Sequence, residues 1–519
     1  MLTMTIGRAQ PLSETAAAFL VRFRAELDSH GWRAAARVIE DHWDRFVLTE
    51  PQILLDAFTT LPSEAFIETP SLLIEVDYLR YIASGAAPHA FRRRFNPAAD
   101  TPSPHLTLRD TLFGVTSRVA AHRSAGRIAD AVANATEARR VLDAADADDI
   151  ADLRVALPHL TIHWAQALDV GDSPLAALEY EQTWAAAVAT GQPRVSRRAA
   201  ASLAWMHAEQ GRIHTARKWL DHATGFDVAV DRYDVPLLLA EALIALDGLD
   251  TERARQQLTQ ADQFVAGEYW AASLWLHSLL STSPEDIIIT ETLVTRETRR
   301  HVSRAVEPGA HRRLVALARW TLRARRGTLR GPGGPDDRIP AAIAAENAYR
   351  QGRFSEAHAT VSRLPSDDMP PRLQGAVLLV AAASELRLDR REPALDAFRR
   401  AHDLIEREGL SMLYATIDTQ TLRELSEASG LPVDSAVLQF LHNSSDDPRA
   451  AIPSLSRRER QVLALLASGL SNNKIAETLF ITANTLKSTV RNLYRKLGVN
   501  DRTEASDLAH RLGLDSATA

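Results

Sequence analysis

The 519-residue sequence predicts an all-α protein: an array of helical repeats followed by a small helical module at the carboxyl end. Apolar residues recur at the helical spacing i, i+3, i+4, i+7 over most of the chain, and alternating valine-rich segments typical of strands are scarce. A glycine-centred turn pattern returns at intervals that suit pairs of helices. Positive charge is concentrated near the carboxyl end of an otherwise acidic chain, which sets the last module apart.

The turn pattern consists of a glycine, followed after five or six residues by an alanine. Its alanines are 46, 39, 38 and later 37 residues apart, close to the length of one helix pair. We expect the glycine to end one helix in the left-handed conformation and the alanine to allow close packing of the next. The pattern predicts a degenerate tetratricopeptide-like array, and a non-repetitive helical bundle is the alternative. The copies are Gly126–Ala131, Gly171–Ala177, Gly211–Ala216, Gly248–Ala254, Gly352–Ala357 and the glycine-less Asp389–Ala394.

Composition divides the chain into segments. We expect amino-terminal repeats over 1–324, a Gly/Pro-rich loop over 325–340, further repeats over 341–442, a linker over 443–453 and a helix-turn-helix domain over 454–515. The chain has no cysteine, so disulfides, zinc–thiolate sites and cysteine nucleophiles are excluded. The amino terminus lacks the layout of a signal peptide, and no apolar run approaches the roughly 20 residues that cross a bilayer. We therefore expect a soluble, cytoplasmic protein without membrane contact.

The net charge of −6 hides an uneven distribution. Residues 453–513 hold ten Lys and Arg against five Asp and Glu, so this module carries +5 and the rest carries −11. Three of the four lysines of the chain also lie in it. A basic module on an acidic body indicates local contact with a polyanion.

Capping residues divide the basic module into four predicted helices. Gly469 and Gly498 end the first and the third helix, and Phe480-Ile481 forms a tight turn before the third. The first and last helices open with capping boxes, completed by Glu459 and Glu504. The predicted caps of the four helices are, in order, Ser456, Ser471, Thr482 and Asp501.

The third helix of the module has two distinct faces. Its apolar side chains Leu486, Val490, Leu493 and Leu497 recur at helical spacing, and Lys487, Ser488, Arg491 and Arg495 lie opposite. A cationic helix that follows a short helix and a tight turn fits the major groove of DNA, where Lys and Arg donate to guanine edges. A merely solvated basic helix is the alternative. The predicted contacts to the DNA backbone are Ser471, Asn472, Lys474, Thr482, Thr485, Arg495 and Lys496.

The run from Leu455 to Ala505 resembles the LuxR-type (GerE-like) four-helix DNA-binding domain. It contains Leu-Ser-x-Arg-Glu, Gly-x-Ser-Asn, Ile-Ala-x-x-Leu, Thr-x-Lys and Lys-Leu-Gly-Val-x-x-Arg-Thr-x-Ala in register. The resemblance implies base reading by Lys487, Ser488 and Arg491. It also implies a homodimer on promoter DNA, with the last helix as the contact; closing the domain core is the other role open to that helix. Two positions depart from the family pattern, since Lys474 replaces a usual acid and Thr489 replaces a frequent histidine.

The upstream segment has a weaker resemblance to the helical-repeat part of MalT-like regulators, through His42-Trp43, Leu61–Glu64 and Pro70–Leu73. Such regulators usually carry an ATPase domain before the repeats. No glycine in this chain is followed by lysine, so the phosphate-cradling loop is absent and no nucleotide cofactor is expected.

Other candidate chemistry is weak. His159 and His163 are four residues apart, as helix-borne metal ligands are, but no third ligand is evident and no metal is expected. Six of nine tryptophans lie between Trp164 and Trp275, where they line an effector pocket or form the core between helices. No nucleophile elbow or dinucleotide loop occurs, so no catalytic residue is assigned and no enzyme is expected.

These observations predict a DNA-binding transcription regulator. The repeats would act as a sensory, oligomerisation or partner-binding scaffold that takes a small-molecule or protein effector. One alternative is a protein-interaction scaffold with secondary DNA binding, and another is an enzyme of a type without a recognisable motif.

Overall fold

A computed structural model describes residues 14–85, 107–226, 231, 233–264, 267–302, 305, 307–325, 338–364, 369–443, 457–479, 481–497, 499 and 501–511. These residues are helical with short connections and contain no β-strand, so the all-α prediction is confirmed for them. The chain divides into two compact units. The first comprises residues 1–203, 221–233 and 307–309, and the second comprises residues 204–220, 234–306 and 310–519.

The first unit begins with five helices around an aromatic core, in which Phe19, Phe23, Phe46 and Phe58 are almost fully buried. Helix pairs follow, each with one apolar side against its neighbour. The helices are α1 Glu14–His30, α2 Trp32–Phe46, α3 Pro51–Thr60, α4 Ser63–Glu68, α5 Ser71–Ala83, α6 Leu108–Ser124, α7 Ile128–Asp143, α8 Ala147–Asp152, α9 Leu157–Val170 and α10 Ala176–Ala189. Helices α11 Pro193–Gln210 and α12 Ile213–Thr224 contribute residues to both units.

The second unit contains further helix pairs and the carboxyl-terminal module, with one 3-10 helix at Ser411–Thr416. Its helices are α13 Val235–Asp247, α14 Thr251–Asp262, α15 Trp270–Leu280, α16 Pro284–Arg300, α17 Ala310–Arg325, α18 Arg338–Arg350, α19 Phe354–Val361, α20 Pro371–Arg387, α21 Arg391–Glu408, α22 Thr419–Ser429, α23 Ser435–Asn443, α24 Arg457–Ala467, α25 Asn472–Thr478, α26 Ala483–Leu497 and α27 Arg502–Arg511.

The observed helix ends differ from the predicted boundaries of the loop and the linker. Helix α18 begins at Arg338, so helix takes up the last three residues of the predicted loop 325–340. Residues 326–337 lie outside the described part of the chain, and so does most of the predicted linker, from residue 444 to residue 453. The division into domains remains a prediction at these two places.

Every predicted repeat turn contains a residue in the left-handed region. At Gly126 (φ 78°) the turn is closed by the amide of Arg127, which donates to the carbonyl of His122 at 2.9 Å, the Schellman pattern of hydrogen bonds. In two copies the prediction is wrong by one residue, because the left-handed residues are Asp172 and Leu249 rather than the glycines before them. In the later of these copies, Gly248 precedes its buried alanine, Ala254, by six residues instead of five, so the turn falls one position later.

The repeat alanines are buried, as the close-packing interpretation requires. In the second copy the buried alanine is Ala176 rather than Ala177, again a shift of one residue. The helices that flank these turns pack on each other as pairs, for example α6 with α7 and α20 with α21. The repeat alanines, each at most 1% exposed, are Ala131, Ala176, Ala216, Ala254, Ala357 and Ala394. In the described part of the chain, no helix is both long enough and apolar enough to span a membrane.

Candidate nucleic-acid interface

The carboxyl-terminal module is a four-helix domain with its own apolar core. Helix α24 packs against α25, α26 and α27, and α25 packs against α26. Ala505 of α27 is fully buried, so this residue closes the core and is not available as a dimer contact. The side chains of Leu508 and Leu512, the next leucines along the chain, lie outside the described part of the structure. The innermost side chains are Val462, Leu463, Leu466, Ile475, Leu486, Leu493 and Ala505.

Side-chain caps start three of the four helices where the sequence predicts them. The Oγ1 atom of Thr482 accepts from the amide of Thr485 at 3.1 Å, and the Oγ atom of Ser471 accepts from the amide of Lys474 at 3.4 Å. The carboxylate of Asp501 accepts from the amide of Glu504 at 2.9 Å. Because each cap satisfies an amide with no partner inside the helix, these bonds determine where α25, α26 and α27 begin. The predicted cap Ser456 lies outside the described residues.

A tight connection joins α25 to α26. The amide of Ile481 donates to the carbonyl of Ala476 at 3.0 Å, which turns the chain immediately after α25. Gly469, with φ 76°, ends α24 in the left-handed conformation, as predicted. Phe480 and Gly498, the other predicted turn and stop residues, lie outside the described part. A short helix, a turn and a longer helix therefore follow one another, which is the order of a helix-turn-helix.

Helix α26 presents opposite faces to the core and to solvent. Leu486 and Leu493 are fully buried, and Val490 is half-buried beside them. The predicted base-reading residues Lys487, Ser488 and Arg491 are exposed on the other side. The inward leucines hold the helix against the domain, so its outward side can be offered to a ligand.

The two cations on this face, Lys487 and Arg491, are not paired with any carboxylate of the described residues, since none lies within 4.0 Å of either side chain. Ser488 donates its hydroxyl to the carbonyl of Thr485 at 2.8 Å, which leaves its oxygen as an acceptor. Thr489, in place of the frequent histidine, is half-buried and donates to the same carbonyl at 2.8 Å. The hydroxyl of Thr489 is therefore hydrogen-bonded within the helix, and the exposed cations are unaffected by the substitution.

The predicted backbone contacts surround this face. Those with a described side chain are all exposed: Ser471, Asn472, Lys474, Thr482 and Thr485. Arg495 and Lys496 belong to α26, but their side chains lie outside the described part of the structure. Lys474, which replaces a usual acid, adds a positive charge in the first turn of α25.

Two arginines of the basic module, Arg458 and Arg502, stabilise the fold of the domain itself, a role that the sequence pattern does not predict. The guanidinium of Arg458 donates to the carbonyl of Leu479 at the end of α25. The Nη2 atom of Arg502 donates to the carbonyls of Leu466 (3.2 Å) and Leu470 (2.6 Å) at the end of α24. Carbonyls at a helix end lack intrahelical partners, and a guanidinium carries enough donors to bind two of them. No local sequence signal separates such an arginine from one that faces solvent.

His159 and His163, which are four residues apart in the sequence, lie inside the first unit. His159 meets the ring of Trp43 edge-on, and burial together with Arg198 lowers its pKa to about 3. Burial, then Arg123, lowers the pKa of His163 well below its usual value. Within the described residues no three His, Asp or Glu side chains are grouped as a metal site would require. Both rings are neutral at pH 7 and act as packing groups.

Most of the central tryptophans form core between helices. In the first unit, the Nε1 atom of buried Trp164 donates to the Oγ1 atom of Thr116 at 2.7 Å. In the second unit, the rings of Trp205 and Trp275 meet edge-on with centroids 6.3 Å apart. Trp270 is also buried there. These contacts favour the core interpretation over a pocket lined by these rings.

Comparison with known proteins places the carboxyl-terminal module in a family. Residues 453–509 match the GerE family, described as "Bacterial regulatory proteins, luxR family". The "Transcriptional regulatory protein LiaR" of Bacillus subtilis (strain 168) is 36% identical over 121 residues, 22% of this chain and 56% of that protein. The "Uncharacterized transcriptional regulatory protein YhcZ" of the same strain is 33% identical over 123 residues, 24% of this chain and 56% of that protein.

A third similarity is closer but shorter. The "HTH-type transcriptional regulator MalT" of Yersinia pestis (strain Pestoides F) is 53% identical over 58 residues, 11% of this chain and 6% of that protein. The chain thus spans about half the length of the two Bacillus relatives and a small part of MalT. A 58-residue match is too short to cover the repeats, so the upstream resemblance to MalT-like regulators stays a prediction. The family match and the helix order agree on the last module: the carboxyl-terminal segment of this chain is a LuxR-family helix-turn-helix domain.

Proposed function

We propose that this chain is a transcription regulator that binds promoter DNA through α26. The observation that carries the proposal is the exposed cationic face of α26, with Leu486 and Leu493 buried on the opposite side. Within the part of the chain that the structure describes, no carboxylate pairs with Lys487 or Arg491. The names of the similar Bacillus and Yersinia proteins support the same role. Bacterial promoters lie in the cytoplasm, which is where we propose that the protein works.

The recognition helix is long enough to reach across a groove. With 15 residues, α26 measures about 22 Å along its axis, and the major groove of B-DNA is about 12 Å wide. Lys487 and Arg491 lie one turn apart, so both can face the groove floor together. Each donates to acceptors on guanine, and the acceptor oxygen of Ser488 is placed between them along the helix.

Phosphate contacts would set the position of this helix on the duplex. Thr482 and Thr485 lie at the start of α26, and Ser471, Asn472 and Lys474 lie at the start of α25. All five are exposed and polar or positive, as backbone contacts require. We propose that Arg495 and Lys496 extend this set along the helix.

The DNA-bound form would be a homodimer that reads two half-sites. With Ala505 buried, its contact would have to use the outer side of α27, where Thr503 and Glu504 are exposed. The helical repeats would form the scaffold that senses an effector, oligomerises or binds a partner, and the chain has no enzymatic role in this proposal.

The test is quantitative DNA binding by paired variants of the full chain. DNA bound by the intact protein is first mapped across the genome, and affinities for one recovered fragment are then measured at constant salt. Lys487→Ala and Arg491→Ala should each weaken specific binding by about 1–3 kcal/mol, or roughly 5- to 150-fold. Lys218→Ala and Arg255→Ala remove exposed cations elsewhere and should have no effect. Unchanged affinity in both α26 variants would refute base reading and favour the alternative, an interaction scaffold whose DNA binding is secondary.

A further inference from the structure

The two histidines of α9 belong to a larger cluster of rings and cations within the first unit. His159, His163 and Gln166 are four and three residues apart, so their side chains form one stripe along α9. The ring of Trp43 on α2 meets His159 edge-on with centroids 6.4 Å apart, and the ring of Tyr78 on α5 meets His163 edge-on at 6.0 Å. Trp43 and Tyr78 stack on each other at 6.4 Å. All four rings are half-buried, so each keeps part of its surface accessible to solvent.

Two arginines add positive charge to this stripe. The guanidinium of Arg123 on α6 donates to the carbonyl oxygen and to the Nδ1 atom of His163, at 3.1 and 3.2 Å. Arg198 on α11 donates to the Oε1 atom of Gln166 at 2.6 Å. Burial is the main cause that lowers the pKa of both histidines, and Arg198 lowers both further, so its charge lies near both rings. We call Trp43, Tyr78, Arg123, His159, His163 and Arg198 the α9 basic–aromatic cluster.

The charge of Arg198 is not balanced by an acid within the described residues. No carboxylate there lies within 4.0 Å of its guanidinium, whose carbon is 4.3 Å from the centre of the Tyr233 ring. The side chain of Arg198 is half-buried, and the neighbouring histidines are neutral at pH 7. A partly buried cation without a counter-charge is unfavourable, and a bound anion would remove that cost.

Three nitrogen atoms of the cluster have no hydrogen-bond partner among the described residues. Because a guanidinium only donates, the Nδ1 atom of His163 accepts from Arg123, and the proton of the neutral ring is therefore on Nε2. The Nε2 atom of His163 makes no further hydrogen bond there. The Nε2 atom of His159 and the Nε atom of Arg198 are both buried and also lack a partner there. Buried polar atoms are rarely left in this state, so these nitrogens mark a place for acceptor oxygens.

We propose that the α9 basic–aromatic cluster binds a small-molecule effector with a carboxylate or phosphate group attached to a planar ring. Arg198 would bind the anionic group through charge-assisted hydrogen bonds, and the Nε2 atoms of His159 and His163 would add neutral donors. The rings of Trp43 and Tyr78 would pack against the planar part. A small molecule is favoured over an acidic protein because the unpartnered nitrogens of His159 and Arg198 lie buried between helices. The inference rests on the proposed function, since it names the chemistry of the effector that the repeat scaffold would sense.

The test is calorimetric titration of the full-length protein with four probes: benzoate, phenyl phosphate, inorganic phosphate and the neutral benzamide. Arg198→Gln removes the charge, and Arg198→Lys keeps the charge without the planar guanidinium. His159→Phe removes the ring nitrogens and keeps an aromatic ring. Arg24→Gln, which removes an exposed cation on α1 of the same unit, is the control. Circular dichroism first establishes that each variant keeps the helix content of the wild type.

Benzoate or phenyl phosphate should bind the wild type saturably at millimolar concentration or below, and the tighter of the two identifies the anionic group. Arg198→Gln should weaken this binding by roughly 10- to 100-fold. Arg198→Lys and His159→Phe should each weaken it by about fivefold, and Arg24→Gln should match the wild type. Benzamide and inorganic phosphate should bind much more weakly, because the first lacks the charge and the second lacks the ring.

The absence of saturable binding of both aromatic anions would overturn the inference, and so would equal affinity of Arg198→Gln and the wild type. Equal affinity of the wild type for benzoate and benzamide would also overturn it, since the cation would then have no role. Failure of the proposed function is a separate result, in which a Lys487→Ala/Arg491→Ala variant binds promoter DNA like the wild type. The same variant should bind the aromatic anions like the wild type, because its substitutions lie outside the first unit.

Discussion

The ion pair between Arg372 and Asp247 joins three helices of the second unit, and its removal has a calculable consequence. The guanidinium of Arg372, at the start of α20, donates to both carboxylate oxygens of Asp247 on α13 at 2.7 and 2.6 Å. It also donates to the carbonyls of Ala208 (2.8 Å) and Glu209 (3.1 Å) at the end of α11. Asp247 is 1% exposed, and burial already raises its pKa above 3.8 although Arg372 lowers it.

Arg372→Met would leave the Asp247 carboxylate buried without a cation. The carboxylate can avoid being buried as an unpaired charge by taking up a proton. At pH 7, protonation of a group with an unfolded pKa of 3.8 costs about 4 kcal/mol. This value lies within the roughly 3–5 kcal/mol typical of a broken buried ion pair. At pH 5 the same protonation costs only about 2 kcal/mol. The folded pKa is raised, so the destabilisation is present above the unfolded pKa and shrinks as pH falls.

Hydrogen–deuterium exchange of α13 and α20 peptides measures the free energy of local opening without requiring two-state unfolding of the whole chain. We expect Arg372→Met to accelerate exchange about a thousandfold at pH 7, after correction for intrinsic rates, and far less at pH 5. Adding Asp247→Leu should restore much of the protection, because no charge is then buried. Arg407→Met, which removes a surface pair with Asp403, is the control and should be near neutral. A loss that does not depend on pH would refute the charge-burial reasoning.

Three further predictions concern other parts of the chain. Burial raises the pKa of Glu75 to about 7 in spite of Arg109, so the stability of the first unit should fall as the pH rises from about 4.5 to about 7. Glu75→Gln should make the urea midpoint of unfolding less dependent on pH over this range, and the same pH dependence in variant and wild type would contradict the prediction. Gly352→Ala, at φ 76° with open space around it, should destabilise by about 1–2 kcal/mol, the cost of the left-handed conformation alone. Gly211→Ala should destabilise by more than this, since a Cβ at φ 83° would also lie 2.6 Å from the amide nitrogen of Arg372, and equal melting shifts would argue against the close approach. Arg502→Met should lower the stability of the helix-turn-helix domain by about 1–3 kcal/mol, because it removes the guanidinium donor to the carbonyls of Leu466 and Leu470. Faster hydrogen exchange in α24 would report this loss, and unaltered exchange there would exclude the bracing role.

The local sequence pattern predicted correctly those features that depend on contacts within a single helix turn. The caps Ser471, Thr482 and Asp501 lie at the starts of α25, α26 and α27, because a cap bonds to an amide only three residues away. The inward leucines and outward cations of α26 follow from helical period alone. In two repeat turns the left-handed residue lies one position after the predicted glycine, because the composition of a turn does not specify which of its residues adopts a positive φ.

The sequence by itself determined an all-α chain, paired helices with small residues at their contacts, and a carboxyl-terminal helix-turn-helix with one basic face. Only the tertiary structure decided which cationic side chains are available to a ligand. Arg372, Arg458 and Arg502 are held by carbonyls or carboxylates of other helices, whereas Lys487, Arg491 and Arg198 have no carboxylate near them among the described residues. The reason is that periodicity reports the face of one helix, while a hydrogen bond such as that from Arg372 to Asp247 joins residues 125 positions apart and exists only once the helices have packed.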